Sequence, residues 1–275
     1  MRKSLNLLII IILSAILVSC KKTGDKKDIK IQKKDNAPKS LASISEEFDK
    51  IFDSIKEIKE IENLSPEEFE ILKSKENEKE KEKPEGQATE KDKELTKTWK
   101  DIDEKVEKIH KSWNDYEVEA IKKSANPAKI KEFKQNLNLC TKAIENRNSN
   151  DILDKSSKSI LSLSSFFDLY KDEINGDLLK IKYAAYQANL AEGNNEEEAK
   201  KLLDATGESI TRLRQKLSED KEKTKNLDKL NLSISDMKES LKEGNKKVLE
   251  LKRDIIIDNI KLLHRGQFSL QSNLW

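Results

Sequence analysis

Apolar residues in this chain recur at alternating intervals of three and four, over stretches of several heptads. The clearest series is Leu95, Trp99, Ile102, Val106, Ile109, Trp113, Tyr116 and Ala120. It steps by 4, 3, 4, 3, 4, 3 and 4 with no polar interruption. A helix turns every 3.6 residues, so such a series lies along one face. Sustained this long, it is a seam of coiled-coil grade. Two Trp on one seam need a broad facing groove, so a bundle core suits it better than a tight two-stranded coil. Trp113 is expected in that core.

The same rule organises the rest of the chain. Ile44, Phe48, Ile51, Ile55 and Ile58 form one stripe. Ser65-Pro66-Glu67-Glu68 then reads as a helix start, with Ser65 as cap, Pro66 in the first turn and Glu68 closing a capping box. Lys73 to Lys83 is nearly all Lys and Glu and leaves no apolar face to bury, so a linker is expected near 74–94. After the long seam, Asn126-Pro127 breaks one helix and opens the next. Ile130, Phe133, Leu137, Cys140 and Ile144 continue to a turn at 146–150. Leu153, Ser156, Ile160, Leu163, Phe167, Tyr170 and Ile174 follow. Shorter stripes are Leu178, Ile181, Ala185 and Ala188, then Ala199, Leu202, Leu203, Ile210, Leu213 and Leu217, with a turn expected within 219–226.

The last stripe is the longest: Leu227, Leu230, Ile234, Met237, Leu241, Gly244, Val248, Leu251, Ile255 and Leu262. The heptad register passes Gly244 without a slip, and one Gly inside a helix costs only about 1 kcal/mol. A continuous helix ended by Gly266 is therefore expected. Phe268, Leu270, Leu274 and Trp275 would fold back as an apolar tail. No stretch alternates β-branched with polar residues, so no strand is expected. The fold class is all-α: an elongated bundle of about six or seven helices with coiled-coil-like heptads, on a flexible N-terminal tether. Composition agrees, since 39% of residues are charged and only 7 Gly and 4 Pro occur in 275.

The N-terminus carries a different signal. Arg2 and Lys3 precede an apolar run from Leu7 to Leu13, which is too short for a permanent membrane span. Leu17-Val18-Ser19-Cys20 after it resembles the lipobox of bacterial lipoproteins. That resemblance implies cleavage before Cys20 and acylation there. Residues 1–19 are then a signal peptide, and Cys20 anchors the chain to a membrane. Residues 20–43 are Lys-rich with no hydrophobic period and read as a disordered tether. It serves as a spacer, or its Lys residues touch anionic headgroups. Residues 44–94 hold N-terminal helices and the linker, and 95–275 the bundle domain. Without Arg2 and Lys3, the 54 basic and 52 acidic side chains come into balance, which argues against strong whole-molecule attraction to a polyanion.

Catalytic signatures are missing. His110 and His264 are the only histidines, and neither has metal-ligand spacing to a second His or Cys. No nucleophile elbow, Walker loop or dinucleotide fingerprint is present. The expectation is no enzyme, no cofactor and no metal. Cys140, on an apolar stripe, is expected to be buried and inert. One charge feature stands out. From Lys200 to Arg265 there are 17 Lys and Arg against 12 Asp and Glu. Arg212, Arg214 and Lys216, with Lys246, Lys247, Lys252 and Arg253, are ordinary solvated faces or a patch for DNA or glycosaminoglycan.

Lipobox, Lys-rich tether and Lys-, Asn- and Ile-rich helices together resemble the plasmid-encoded outer-surface lipoproteins of Lyme-disease Borrelia. The all-helical paralogous families, twelve first and fifty-four second, are the nearest in style. The resemblance implies outer-membrane display and interaction with host or tick molecules. It implies complement-regulator binding for family fifty-four and non-specific DNA binding for family twelve. Three roles follow: a module binding a host protein through a helix groove, a polyanion binder, or a structural spacer in the envelope.

Overall fold

A computed structural model describes residues 36–76, 89–170, 174–191 and 195–268. The lipobox Leu17–Cys20, the tether up to residue 35, most of the Lys/Glu linker and the tail beyond Phe268 lie outside the described residues. Among those described there are nine α-helices, one 3-10 turn and no strand. The helices are α1 (Lys39–Glu62), α2 (Pro66–Glu76), α3 (Glu90–Lys122), α4 (Pro127–Glu145) and α5 (Ser149–Phe167). They continue with α6 (Asn175–Leu190), α7 (Glu196–Lys216), α8 (Lys221–Ser240) and α9 (Lys246–Phe268).

Most of the described starts have a local cause. Ser65 Oγ accepts from the Glu68 amide at 3.1 Å while Glu68 accepts from the Ser65 amide at 2.8 Å, the expected capping box. Asn126 accepts from the Ala128 amide, with Pro127 in the first turn of α4. Asn148, Asn195 and Asp220 cap α5, α7 and α8 in the same way. Two starts come earlier than the apolar stripes alone predict. Helix α1 opens at Lys39 rather than near 44, after an extended Pro38, because fully buried Leu41 extends its stripe. Helix α3 opens at Glu90 rather than 95, because Thr89 and Asp92 form a capping box ahead of the first seam residue.

One core runs through all of this. It takes Leu41 to Ile58 from α1 together with residues from Ile102 to Leu263. The division expected at 94/95 therefore does not separate two cores. Helix α1 lies along α3 and α5, and α4 packs on α5. At the centre, α6 packs against α5, α7 and α9. It buries Leu178, Ile181, Ala185 and Ala188 as expected, but also Leu179, Lys182, Ala184 and Tyr186. A helix apolar on most sides is one surrounded by others. Buried Lys182 is matched by an ion pair to Asp49 of α1. Gly176 lets α6 begin hard against the end of α5: a Cβ there would sit 2.8 Å from Asp168 Oδ1 and 2.9 Å from the Ser164 carbonyl.

The long seam of α3 is core from Ile102 to Ala120. Trp113 packs on Phe133, Phe166 and Tyr116, with ring centroids at 4.3, 5.1 and 5.7 Å. Cys140 is fully buried beside Ser156 Oγ at 3.2 Å, and burial pushes its thiol up to about 11.

The last stripe differs from expectation. Helix α8 ends at Ser240, a 3-10 turn spans Leu241–Glu243, and Gly244 takes φ 59°. That left-handed conformation is open to Gly at little cost and ends the helix. Helix α9 starts afresh, with Asn245 Oδ1 accepting from the Val248 amide. Its register has changed: Leu249, Ile256, Ile260 and Leu263 are buried, while Leu251 and Ile255 are 60% and 40% exposed. At its other end α9 passes through Gly266 to Phe268.

Candidate functional site

The first turn of α6 and the last two turns of α7 meet at a carboxylate. Asp177, only 1% exposed, sits in the acidic first turn of α6, where the helix N-terminus favours it. Arg212 and Lys216 are four apart on α7 and so share a face. Arg212 Nε and Nη2 each stand 2.8 Å from Asp177 Oδ1. Lys216 Nζ lies 3.4 Å from Oδ2. Burial on its own would lower the Arg212 pKa, but the hydrogen bond and charge of Asp177 outweigh it and raise it. Beside them Lys180 Nζ donates to Asp168 at 2.9 Å.

These charges close one end of a groove of about 560 Å³ between α5, α6 and α7. Leu161, Tyr183, Ala184, Leu202 and Ala205 make its apolar walls. An apolar trough with polar groups at one end is the usual form of a site for a side chain or small ligand. Nothing in it resembles a nucleophile with its base.

The seven expected polyanion ligands do not converge. Arg212 and Lys216 enter this groove. Arg214 points to the other side of α7, where Nη2 meets Asp228 of α8 at 2.7 Å. Lys246 and Lys247 are exposed at the start of α9 and make no ion pair among the described residues. Lys252 leans on Asp236 at 3.6 Å. Arg253 is not a surface residue at all, being 7% exposed. Its Nη1 donates to Asn189 Oδ1 at 2.6 Å, Nε and Nη2 donate to Asp254, and the guanidinium lies 5.4 Å from the Tyr186 ring.

Arg253 and Tyr186 help line a smaller cleft of about 180 Å³ between α1 and α9. Lys56 reaches Asp254 there at 2.8 Å. Burial would raise the Asp254 carboxyl, yet Lys56 and Arg253 together hold it below its ordinary value. Cations and carboxylates alternate around this cleft, so it offers no net field to a charged ligand.

Asp177, Asp168 and Lys180 were not legible as site residues. Asn175-Gly176 reads as a turn, and only the meeting of α6 with α7 shows what Asp177 faces. Among the described residues no group of three His, Cys, Asp or Glu could hold a metal ion, and no helix is long and apolar enough to cross a membrane. No protein-family model matches the sequence, and no similar curated protein or solved structure was found.

Proposed function

We propose that this chain is a non-enzymatic lipoprotein, anchored at Cys20 in an outer membrane, whose bundle docks a macromolecule of a host or vector. The groove between α6 and α7 carries this reading. It has apolar walls, and at its end Lys180, Arg212 and Lys216 are matched by Asp168, Asp177 and Glu208. A partner segment with an apolar anchor flanked by an uncharged polar residue fits that order of surfaces. The polyanion reading has less support, since Arg212, Arg214, Lys216, Lys252 and Arg253 each already face a carboxylate.

Two measurements test this. Cys20→Ala should leave uncut precursor and abolish labelling by a radioactive fatty acid; labelling that persists removes the anchor. The fragment Asp35–Trp275, which contains the whole described core, should bind an immobilised host protein with modest salt dependence. Ala205→Trp, which fills the groove from an exposed position, should abolish that binding and spare the thermal midpoint. Duplex DNA binding that falls steeply with salt, with a slope reduced by charge reversal at Lys246 and Lys247, would replace this reading with the polyanion one.

A further inference from the structure

The turn from α3 to α4 gathers exposed apolar and basic side chains at one end of the bundle. Val118 and Ile121, in the last two turns of α3, are 56% and 61% exposed. Glu117 pairs with Lys134 and His110 meets Thr141, which sets Ile121 level with Ile130 and Lys122 level with Lys129 across the hairpin. From Ala120 to Lys131 the chain carries four Lys and no Asp or Glu. Lys129 leans on Glu132 at 2.7 Å, and Lys123 lies over the Tyr170 ring at 4.6 Å. Lys122 and Lys131 are exposed and make no ion pair among the described residues. Of the neighbouring acids, Glu117 is taken by Lys134, and Glu119 accepts from the Tyr170 hydroxyl at 3.0 Å. Asp115, on the same face as Val118 and Lys122, lies about 10 Å back along α3 from Lys122.

The chain ahead of the bundle enters at this same end. Helices α1 and α3 are antiparallel: Glu47 meets Lys108, and Ser43 Oγ lies 3.5 Å from Ser112 Oγ. That register sets Ala37, partly buried against the core, level with Val118. Lys39, the first residue of α1, is level with Tyr116, and α3 runs on from there to Lys122, about 9 Å further. The segment from Cys20 to Asp35 joins this end to the anchor proposed above and reaches at most about 55 Å when fully extended. The opposite end of the bundle, where α4 turns into α5, is about 27 Å further from that attachment point. An anchor on this segment therefore draws the α3–α4 turn, before the far end, towards the membrane.

We propose that the α3–α4 turn is a lipid-contacting surface, which rests on the anionic membrane to which Cys20 anchors the chain. The anchor is that of the function proposed above; the chemistry is the turn's own. Ile121 and Val118 enter the headgroup layer, and Lys122 and Lys131 pair with lipid phosphates, their stems lying along the apolar side chains. Two apolar side chains are too few for a stable protein interface, and the cores of such interfaces are depleted in Lys. A bilayer surface offers hydrocarbon and phosphate together. Each Lys drawn to an anionic surface tightens binding only about fivefold, so the contact alone is weak. The anchor makes it intramolecular and raises its effective concentration.

The test sediments Asp35–Trp275, which lacks Cys20, with phosphatidylcholine vesicles containing about one third phosphatidylglycerol. Binding at millimolar lipid is expected, and none to phosphatidylcholine alone. Lys122→Gln and Lys131→Gln should each weaken it about fivefold, and Ile121→Ser about tenfold; unchanged circular dichroism shows that each variant is folded. A polarity-sensitive dye on Ala128→Cys should shift to the blue on anionic vesicles. The same dye on Glu145→Cys, at the other end of α4, should not; Cys140 is buried and stays unlabelled. No binding, equal binding to uncharged vesicles, variants that bind as the parent does, or equal shifts of the two dyes each overturn the proposal. Self-association that Ile121→Ser abolishes, with no vesicle binding, assigns the turn to a second copy instead. Because the fragment carries no lipid, its binding stands or falls apart from the labelling of Cys20, so failure of the contact and failure of the anchor are told apart.

Discussion

Trp113 separates the two contributions that an aromatic core residue makes, its packing and its polar edge. The indole is 4% exposed and touches Phe133, Phe166 and Tyr116. Its buried Nε1–H finds no hydrogen-bond partner among the described residues. Burying about 200 Å² of indole contributes roughly 5 kcal/mol at 25 cal/mol per Å². Leaving a buried donor unpaired costs about 1–3 kcal/mol. Trp113→Ala removes both and opens a cavity, so a net loss of about 3–4 kcal/mol is expected, within the range for large-to-small core changes. Trp113→Phe keeps a ring against Phe133 and Phe166 and deletes only the orphan donor and part of the area. The lost area, roughly 50 Å², is worth about 1.3 kcal/mol. The removed donor offsets it, so a change within about 1.5 kcal/mol is expected. Urea denaturation of the two variants, followed by circular dichroism at 222 nm, measures both. If Trp113→Phe costs as much as Trp113→Ala, the Nε1–H is bonded in the folded protein and the bookkeeping is wrong. If neither change costs anything, Trp113 does not hold the core.

Gly176→Ala should destabilise by about 1–3 kcal/mol, since its methyl would press on a backbone carbonyl and on Asp168; an unchanged denaturation midpoint would show that α5 and α6 are not in close contact. Gly244→Ala should cost about 1–2 kcal/mol, because a Cβ is strained at φ 59°; a stabilised variant would mean that α8 and α9 form one straight helix. Burial, then the nearby Lys182 and Lys223 against Asp49, pushes His264 down to about 4. The unfolded chain thus binds more protons between about pH 6.5 and 4, so stability should be full above that window and fall as pH drops through it. The loss is of the order of 3 kcal/mol, and a pH series of denaturation curves in which His264→Leu is as acid-sensitive as the parent would refute this.

Helix identity was legible because it depends on neighbours three and four residues away. Leu95 to Ala120 could bury one side only as a helix, and Ser65, Asn126 and Pro127 mark starts through hydrogen bonds made within one turn. The all-α fold and the burial of Trp113 and Cys140 follow from such local rules. Thr89-x-x-Asp92 was a local signal too, but one that lies upstream of the stripe it opens.

Choices between two locally acceptable faces needed the tertiary structure. Helix α9 has apolar residues on both sides, and unbroken heptad spacing selected Leu251 and Ile255 for the core. The left-handed turn at Gly244 sets α9 on a new path, and packing on α6 buries Leu249 and Ile256 instead. Charge behaves alike. Arg212, Arg214 and Lys216 stand together in sequence, yet successive residues of a helix point 100° apart, so two of them meet Asp177 and the third meets Asp228. Arg253, hydrophilic by type, is buried because Asn189 and Tyr186 of α6, more than sixty residues away in the chain, meet it, while its own neighbour Asp254 accepts its remaining hydrogen bonds. Periodicity along the chain determines which segments are helices; which of their faces meet, and which cations stay free, depends on contacts between residues too distant for any local pattern to record.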